Sequence, residues 1–239
     1  GNMLEVIEDN TFECLYNLKK LSLSSNQIRE IKTNAFNQLK KLSNLELDKN
    51  SLETIESNTF KSLEKLETLI LGSNKIKCLM PNCFSGLVNL QKLILTANLI
   101  EHLDDNSIFD GLVSLKELYL PRNRIRHISP EVLQRLTKLI NFDLSVNCIN
   151  MLNENTFENL KELKTLTMRL CKLQSIQPKA FNSLNNLTKL NISNSNLKHL
   201  SEFAFIDLNS LESLALDNSQ IRSIDSNAFN CLFKLKDLN

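Results

Sequence analysis

The chain has no tryptophan, and only four glycines and four prolines among its 239 residues. So few glycines leave no glycine-rich cradle for a phosphate. There are three histidines, His102, His127 and His199, and the repeat geometry is expected to place no serine or cysteine near a histidine–carboxylate pair, so no triad is expected. Carboxylates are scattered singly, so no pair argues for acid–base work. An excess of one charge is also missing: 28 basic against 27 acidic residues give +1. That balance argues against a broad electrostatic grip on nucleic acid or on an anionic membrane. No apolar run approaches the length of a membrane span. No leader peptide is visible, and a mature secreted chain would have had one removed. The six cysteines, at 14, 78, 83, 148, 171 and 231, show neither zinc-knuckle spacing nor a dense disulfide framework. They leave the redox compartment open. No enzyme activity, cofactor or metal is expected.

What is present is a period. The pattern L-x-x-L-x-L-x-x-N-x-I/L-x-x-I/L-x-x-x-x-F-x-x-L-x-x recurs from Leu18, Leu42, Leu66, Leu90, Leu115, Leu139, Leu163, Leu187 and Leu211. All steps are 24 residues except one of 25, whose extra residue falls in 104–108. A loop can absorb such a change, whereas a strand register cannot. A fixed period of this size marks a solenoid that grows as one body. The reading is one domain over 1–239: a partial repeat at 2–17, nine full repeats over 18–234 and a partial repeat at 235–239. No terminal caps are visible, both ends cut through a coil, and the expectation is an excerpt of a longer protein.

Counting each copy from its first leucine, slots 1, 4 and 6 are apolar throughout. Slots 3 to 7 therefore read as a short strand with 4 and 6 inward and 3, 5 and 7 outward. Successive strands stack in parallel about 4.8 Å apart. Slot 9 is Asn26, Asn50, Asn74, Asn98, Asn123 and Asn147, then Cys171, Ser195 and Ser219. An asparagine there offers donors and an acceptor to backbone groups that turn inward after the strand. Less regularity is expected after residue 163, where this ladder ends. Slot 19 is phenylalanine in every full copy except at Leu133, which predicts a ring spine on the convex side. Pro81, Pro130 and Pro178 at slot 16 suit the first position of short 3₁₀ or helical turns.

These motifs resemble the leucine-rich repeat family, in its 24-residue form with phenylalanine at slot 19. The resemblance runs over about residues 2–239. That form is usual in extracellular proteins, among them Toll-like and insect Toll receptors, variable lymphocyte receptors, and Slit-like and proteoglycan families. It implies a horseshoe with a concave parallel sheet and convex loops or 3₁₀ turns, an α/β solenoid in class. It also implies recognition of a protein or glycan ligand outside the cell.

Candidate contacts lie on the outward strand slots. Slot 5 brings Ile70, Ile94 and Tyr119 into consecutive copies, with Leu99 close by. Bulky residues there, with a rim of Arg122, Arg124, Asp143, Arg169 and Lys172, read as an interface centre that would extend to Thr167. Good strand formers on a solvated sheet are the plainer alternative. The basic run 122–127 suits anionic groups but is offset by nearby acids. Cys78, His102 and His127 share slot 13, without a convincing fourth ligand for a metal. For Cys78 and Cys83, a local disulfide and free thiols both stand. Two glycosylation sequons occur, at Asn186 and Asn191.

The expected function is the ligand-recognition ectodomain fragment of an innate-immune, Toll-like receptor. The ligand would sit on the concave face around copies three to six, a receptor dimer would be in keeping, and no nucleic acid is expected. A membrane would be met only through flanking segments outside this chain. The alternatives are an adhesion or matrix protein and a cytosolic scaffold.

Overall fold

The computed structural model describes residues 1–239. Ten short parallel strands form one sheet in strict chain order: Lys20–Ser22, Asn44–Glu46, Thr68–Ile70, Lys92–Ile94, Glu117–Tyr119, Asn141–Asp143, Thr165–Thr167, Lys189–Asn191, Ser213–Ala215 and Asp237–Leu238. From Asn44–Glu46 to Ser213–Ala215 the middle residue is buried and its neighbours are not, as the alternation requires. The register joins like slots, with Leu93 opposite Leu118 and Ile94 opposite Tyr119 across the 25-residue step. The inserted residue is taken up in the loop, where the Asp105 carboxylate accepts the Ser107 N–H at 2.8 Å. One contiguous core of 66 buried residues follows the whole sheet, so the chain is a single packed body.

The asparagines tie each coil to the one before. Asn98 Nδ2 donates to Leu71 O and Leu95 O at 3.0 Å, and its Oδ1 accepts the Ile76 N–H at 3.0 Å. Asn50, Asn74, Asn123 and Asn147 repeat the pattern and are buried. At coil seven the Cys171 thiol keeps only the donation, to Leu144 O at 3.3 Å. The Ile149 N–H that an asparagine would accept has no partner, and Lys172 makes no bond to the coil before, unlike the same slot in coils one to six. Coils eight and nine use a Ser195–Ser219 hydroxyl pair at 2.8 Å. The thinning after residue 163 is thus confined to side chains and local turns, because the sheet itself continues in register to Leu238. Cys171→Asn should raise stability by about 1 kcal/mol by meeting that N–H. Urea unfolding with an unchanged or lower midpoint would refute this.

Each slot-9 residue, asparagine or its Cys171, Ser195 and Ser219 replacements, is preceded by a residue with φ near +55° (Ser25, Lys49, Ser73, Ala97, Arg122, Val146, Leu170, Asn194 and Asn218). None is glycine. This left-handed residue turns the chain so that slot 9 can face the interior. A β-branched valine there is strained.

On the convex side the rings of Phe12, Phe36, Phe60, Phe84 and Phe109 stack 5.9–6.3 Å apart, and those of Phe157, Phe181, Phe205 and Phe229 do the same at 6.0–6.3 Å. Leu133 breaks the spine, and Phe142 at slot 4 of the next coil packs edge-on against Phe157 at 6.4 Å. Ring spacing exceeds the strand spacing of about 4.8 Å, so each coil is a wedge and the sheet lies on the inner curve. The convex stretches are turns, with a single 3₁₀ segment at Pro130–Leu133. Pro81 and Pro178 sit in turns without 3₁₀ pairing, a narrower outcome than the prolines predicted.

Slots 13 and 14 are not plain bends. They form two-residue strands that pair only at every second joint: Val6–Ile7 with Glu30–Ile31, Thr54–Ile55 with Cys78–Leu79, His102–Leu103 with His127–Ile128, Met151–Leu152 with Ser175–Ile176, and His199–Leu200 with Ser223–Ile224. This flank lies between the tight inner sheet and the wider spine. Its mean coil spacing therefore exceeds what hydrogen bonds tolerate, and bonded joints alternate with open ones.

Candidate functional site on the concave sheet

The structure brings Ile70, Ile94 and Tyr119 together as direct register partners. They do not stand clear of the surface as the sequence suggested: all three are half-buried, because neighbouring strands crowd them. Tyr119 is held in a network that the slot pattern did not reveal. Its hydroxyl donates to Glu117 at 3.1 Å, Glu117 pairs with Lys92 at 2.8 Å, and Lys92 Nζ lies 5.1 Å from the Tyr119 ring centroid. Burial, and then the Glu117 carboxylate, push the Tyr119 hydroxyl above its usual range. The bond from Lys92 holds Glu117 below its own.

Beyond Tyr119 the sheet dips into a shallow hollow of about 250 Å³ lined by Tyr119, Asn141, Phe142, Asp143, Thr165 and Thr167. Asp143 and Thr167, placed in the candidate patch from sequence, meet here. Of the proposed rim, Arg122 and Arg169 are exposed beside the strand ends, as is Lys172. Arg124 is turned to the flank, where it pairs with Glu101 at 3.6 Å.

The apolar surface is displaced from its expected place. Val146 and Leu170 are 40% and 46% exposed, and both sit in the left-handed turn that ends the strand. They occupy slot 8 of adjacent coils. Two adjacent exposed apolar side chains at the end of the sheet point to a contact surface. The pattern alone does not mark them, because slot 8 is variable and carries serine, lysine, alanine, arginine or asparagine elsewhere. Coils five to seven also hold the missing phenylalanine at Leu133, the substituted one at Phe142 and the lost ladder residue at Cys171. Departures from a repeat's own rules gather where function overrides stability.

The remaining candidates separate. Cys78 is exposed on its short strand and Cys83 is wholly buried, with its Sγ toward Ile108 O. The disulfide alternative is therefore not formed, because the two side chains face opposite sides of the bend. His102 and His127 are exposed register partners, but Cys78 pairs with Thr54 across a different joint, so the three do not form one row. Against the sequence expectation, His199 does have a serine and a carboxylate in reach, Ser223 Oγ at 2.9 Å from Nδ1 and Asp225 Oδ2 at 3.5 Å from Nε2, because slots 13 and 15 of the next coil face it; all three are exposed on the flank, outside either hollow. A wider hollow, about 970 Å³, lies on the flank at the open joint after Ile31. Four of its lining charges pair with one another, Arg29 with Glu5 at 2.7 Å and Lys32 with Glu30 at 2.5 Å. Asn186 is exposed, while Asn191 is half-buried with its Oδ1 taken by Ser193.

Burial pushes the Cys171 thiol up to about 11 and the Cys83 thiol higher still. In native protein a thiol reagent should label Cys14 and Cys78 quickly and reach Cys83 and Cys171 only on unfolding, as peptide mass mapping would show; equal rates would refute it. From about pH 9 to about 11 the unfolded chain releases a Cys171 proton that the folded chain keeps, so stability should fall as pH rises through that window.

The leucine-rich repeat profile matches residues 1–52, 40–100, 89–147, 113–173, 162–221 and 185–239. The chain belongs to the leucine-rich repeat family. Among solved structures, this leucine-rich repeat chain is similar to one in the complex of TLR13 with ssRNA13, with a TM-score of 0.80 and 32% identity over 94% of its own length. It covers 31% of the TLR13 chain, about a third. It is also similar to a chain in the octameric complex of Latrophilin 3, Unc5D and FLRT2, with a TM-score of 0.70 and 24% identity, covering 93% of this chain and 74% of that one. At that identity the likeness shows the fold alone. A comparison with curated proteins finds no match. No helix of this leucine-rich repeat protein is long and apolar enough to cross a membrane.

Proposed function

We propose that the chain is a protein-binding segment of an extracellular leucine-rich repeat receptor of the Toll-like kind, and that its ligand seats on the concave sheet of coils five to seven. The observation that carries this reading is the pair Val146 and Leu170, apolar and exposed at strained positions, beside the hollow at Tyr119, Asp143 and Thr167. A protein ligand is favoured over nucleic acid because both signs of charge share the sheet. Lys92, Arg169 and Lys189 are interleaved with Glu46, Glu117 and Asp143, so no continuous basic track follows a phosphate backbone.

The double variant Val146→Asn with Leu170→Asn tests the site. Asparagine tolerates the left-handed turn and already occupies it at 194 and 218, so the fold should be kept. Capture of extracellular proteins by the wild-type chain, quantified by mass spectrometry, should identify a partner whose binding the double variant weakens by tenfold or more, and Tyr119→Ala likewise. An unchanged set of partners at unchanged affinity would sink the site.

The six free cysteines favour a second reading, a scaffold in a reducing compartment. Glycan occupancy separates the two. In cells that make the protein, Asn186 should carry an N-glycan, and Asn186→Gln should remove one glycan's mass. Unmodified Asn186 and Asn191 in the native protein would favour the scaffold.

A further inference from the structure

We propose that the hollow beyond Tyr119 is a docking subsite for an arginine side chain of the protein ligand. The proposal rests on the concave-face reading above and names the chemistry of the group that this part of the surface accepts.

The lining is one-sided in its chemistry. Asp143 has one carboxylate oxygen committed, Oδ1 to the Ser145 N–H at 2.8 Å; its other oxygen accepts no hydrogen bond and the residue has no ion-pair partner. The side chains of Asn141, Thr165 and Thr167 make no hydrogen bonds within the chain, so their acceptors are also open. No cation lines the hollow. Its wall on the coil-five side is Tyr119. Lys92 comes from the strand on the far side of that tyrosine and is engaged there by Glu117, which neutralises it and pins the ring. The hollow thus offers a fixed aromatic wall, a free carboxylate oxygen and three neutral acceptors. About 250 Å³ in an open dip is room for a side-chain head group and not for a folded element.

A guanidinium matches this set better than an ammonium. It is planar, stacks on an aromatic face, and spreads five N–H donors in one plane toward several acceptors at once. Its weaker hydration lowers the cost of entering a half-buried site. An anionic or purely apolar group would leave Asp143 unmatched. Val146 and Leu170 stand at the ends of the same two strands, where they would meet the apolar surroundings of the incoming side chain.

The test titrates acetyl-arginine amide into the full chain carrying carbon-13 tyrosine. There are two tyrosines, so the exposed Tyr16 serves as the internal control. A saturable shift of the Tyr119 ring resonances, with Tyr16 unmoved, is expected. Acetyl-citrulline amide, which keeps shape and loses charge, should bind about tenfold more weakly, and Asp143→Asn should weaken arginine by a similar factor. The proposal is overturned if no saturable shift appears, if citrulline or acetyl-lysine amide binds as tightly as arginine, or if Asp143→Asn leaves the affinity unchanged. Loss of partner capture in the Val146/Leu170 variant without any arginine response discards the subsite and leaves the concave-face reading standing. An arginine response with unaltered partner capture supports the subsite and discards that reading.

Discussion

Asn98→Ala should destabilise the chain by about 3 kcal/mol. The loss is not a simple count of three hydrogen bonds. Leu71 O retains Asn74 and Leu95 O retains Asn123 as second donors, so each carbonyl keeps one partner. The Ile76 N–H has no substitute and is left orphaned in the core. An orphaned buried donor costs about 1–3 kcal/mol, and two weakened carbonyls add to it. Asn98→Ser, the residue that this chain itself uses at 195 and 219, should cost roughly half as much, since a hydroxyl restores part of the network. Because Asn98 bridges coils three and four, the damage belongs to a joint between coils, as nearest-neighbour energetics of solenoids require. Urea unfolding read together with amide exchange at Ile76 tests this. A loss below 1 kcal/mol, or unchanged exchange at Ile76, would show that water satisfies the group and that the ladder is not a source of stability.

Phe84→Ala should cost about 4 kcal/mol, the largest single effect expected. The ring is wholly buried and lies 6.3 Å from Phe60 and 6.1 Å from Phe109, so its removal opens a cavity and leaves both neighbouring rings without a stacking partner on that side. The spine cannot collapse to fill the gap, since each ring is held by its own coil. Phe84→Leu should cost less, but more than the natural leucine at 133 suggests. Beside Leu133 the chain supplies Phe142 in the next coil, whereas beside Phe84 the slot-4 residue of the next coil is Leu93. Thermal unfolding of both variants, with Phe142→Leu for comparison, measures these differences. If Phe84→Ala and Phe84→Leu were equal, the cavity account would fail.

Much of the fold was legible because a solenoid repeats its evidence. Slots 4 and 6 recur at a fixed period, and one residue's slip would turn a whole strand outward, so the register follows from the pattern. The single 25-residue step was placed in a loop by the same argument, and the structure has it there. The candidate site was half legible. The period places Ile70, Ile94 and Tyr119 side by side, as the structure does, but it does not define their exposure, which depends on how closely adjacent coils approach. Val146 and Leu170 are not legible in the sequence: an apolar residue in a variable slot carries no signal until its backbone and neighbours are known. The Cys78–Cys83 alternative depended on side-chain direction, which a spacing of five does not define.

The amino-acid order by itself therefore determined the period, the buried slots, the parallel sheet and the asparagine ladder with its end at Cys171. Each of these follows from which side chains must leave water at a constant interval. Only the tertiary structure decided the rest. It made slot 8 left-handed without a glycine, paired the flank strands at alternate joints, locked Tyr119 between Lys92 and Glu117, and left Asp143 unmatched over a hollow. These features depend on distances between residues about 24 positions apart in wedge-shaped coils. Curvature sets those distances, and no single repeat encodes it.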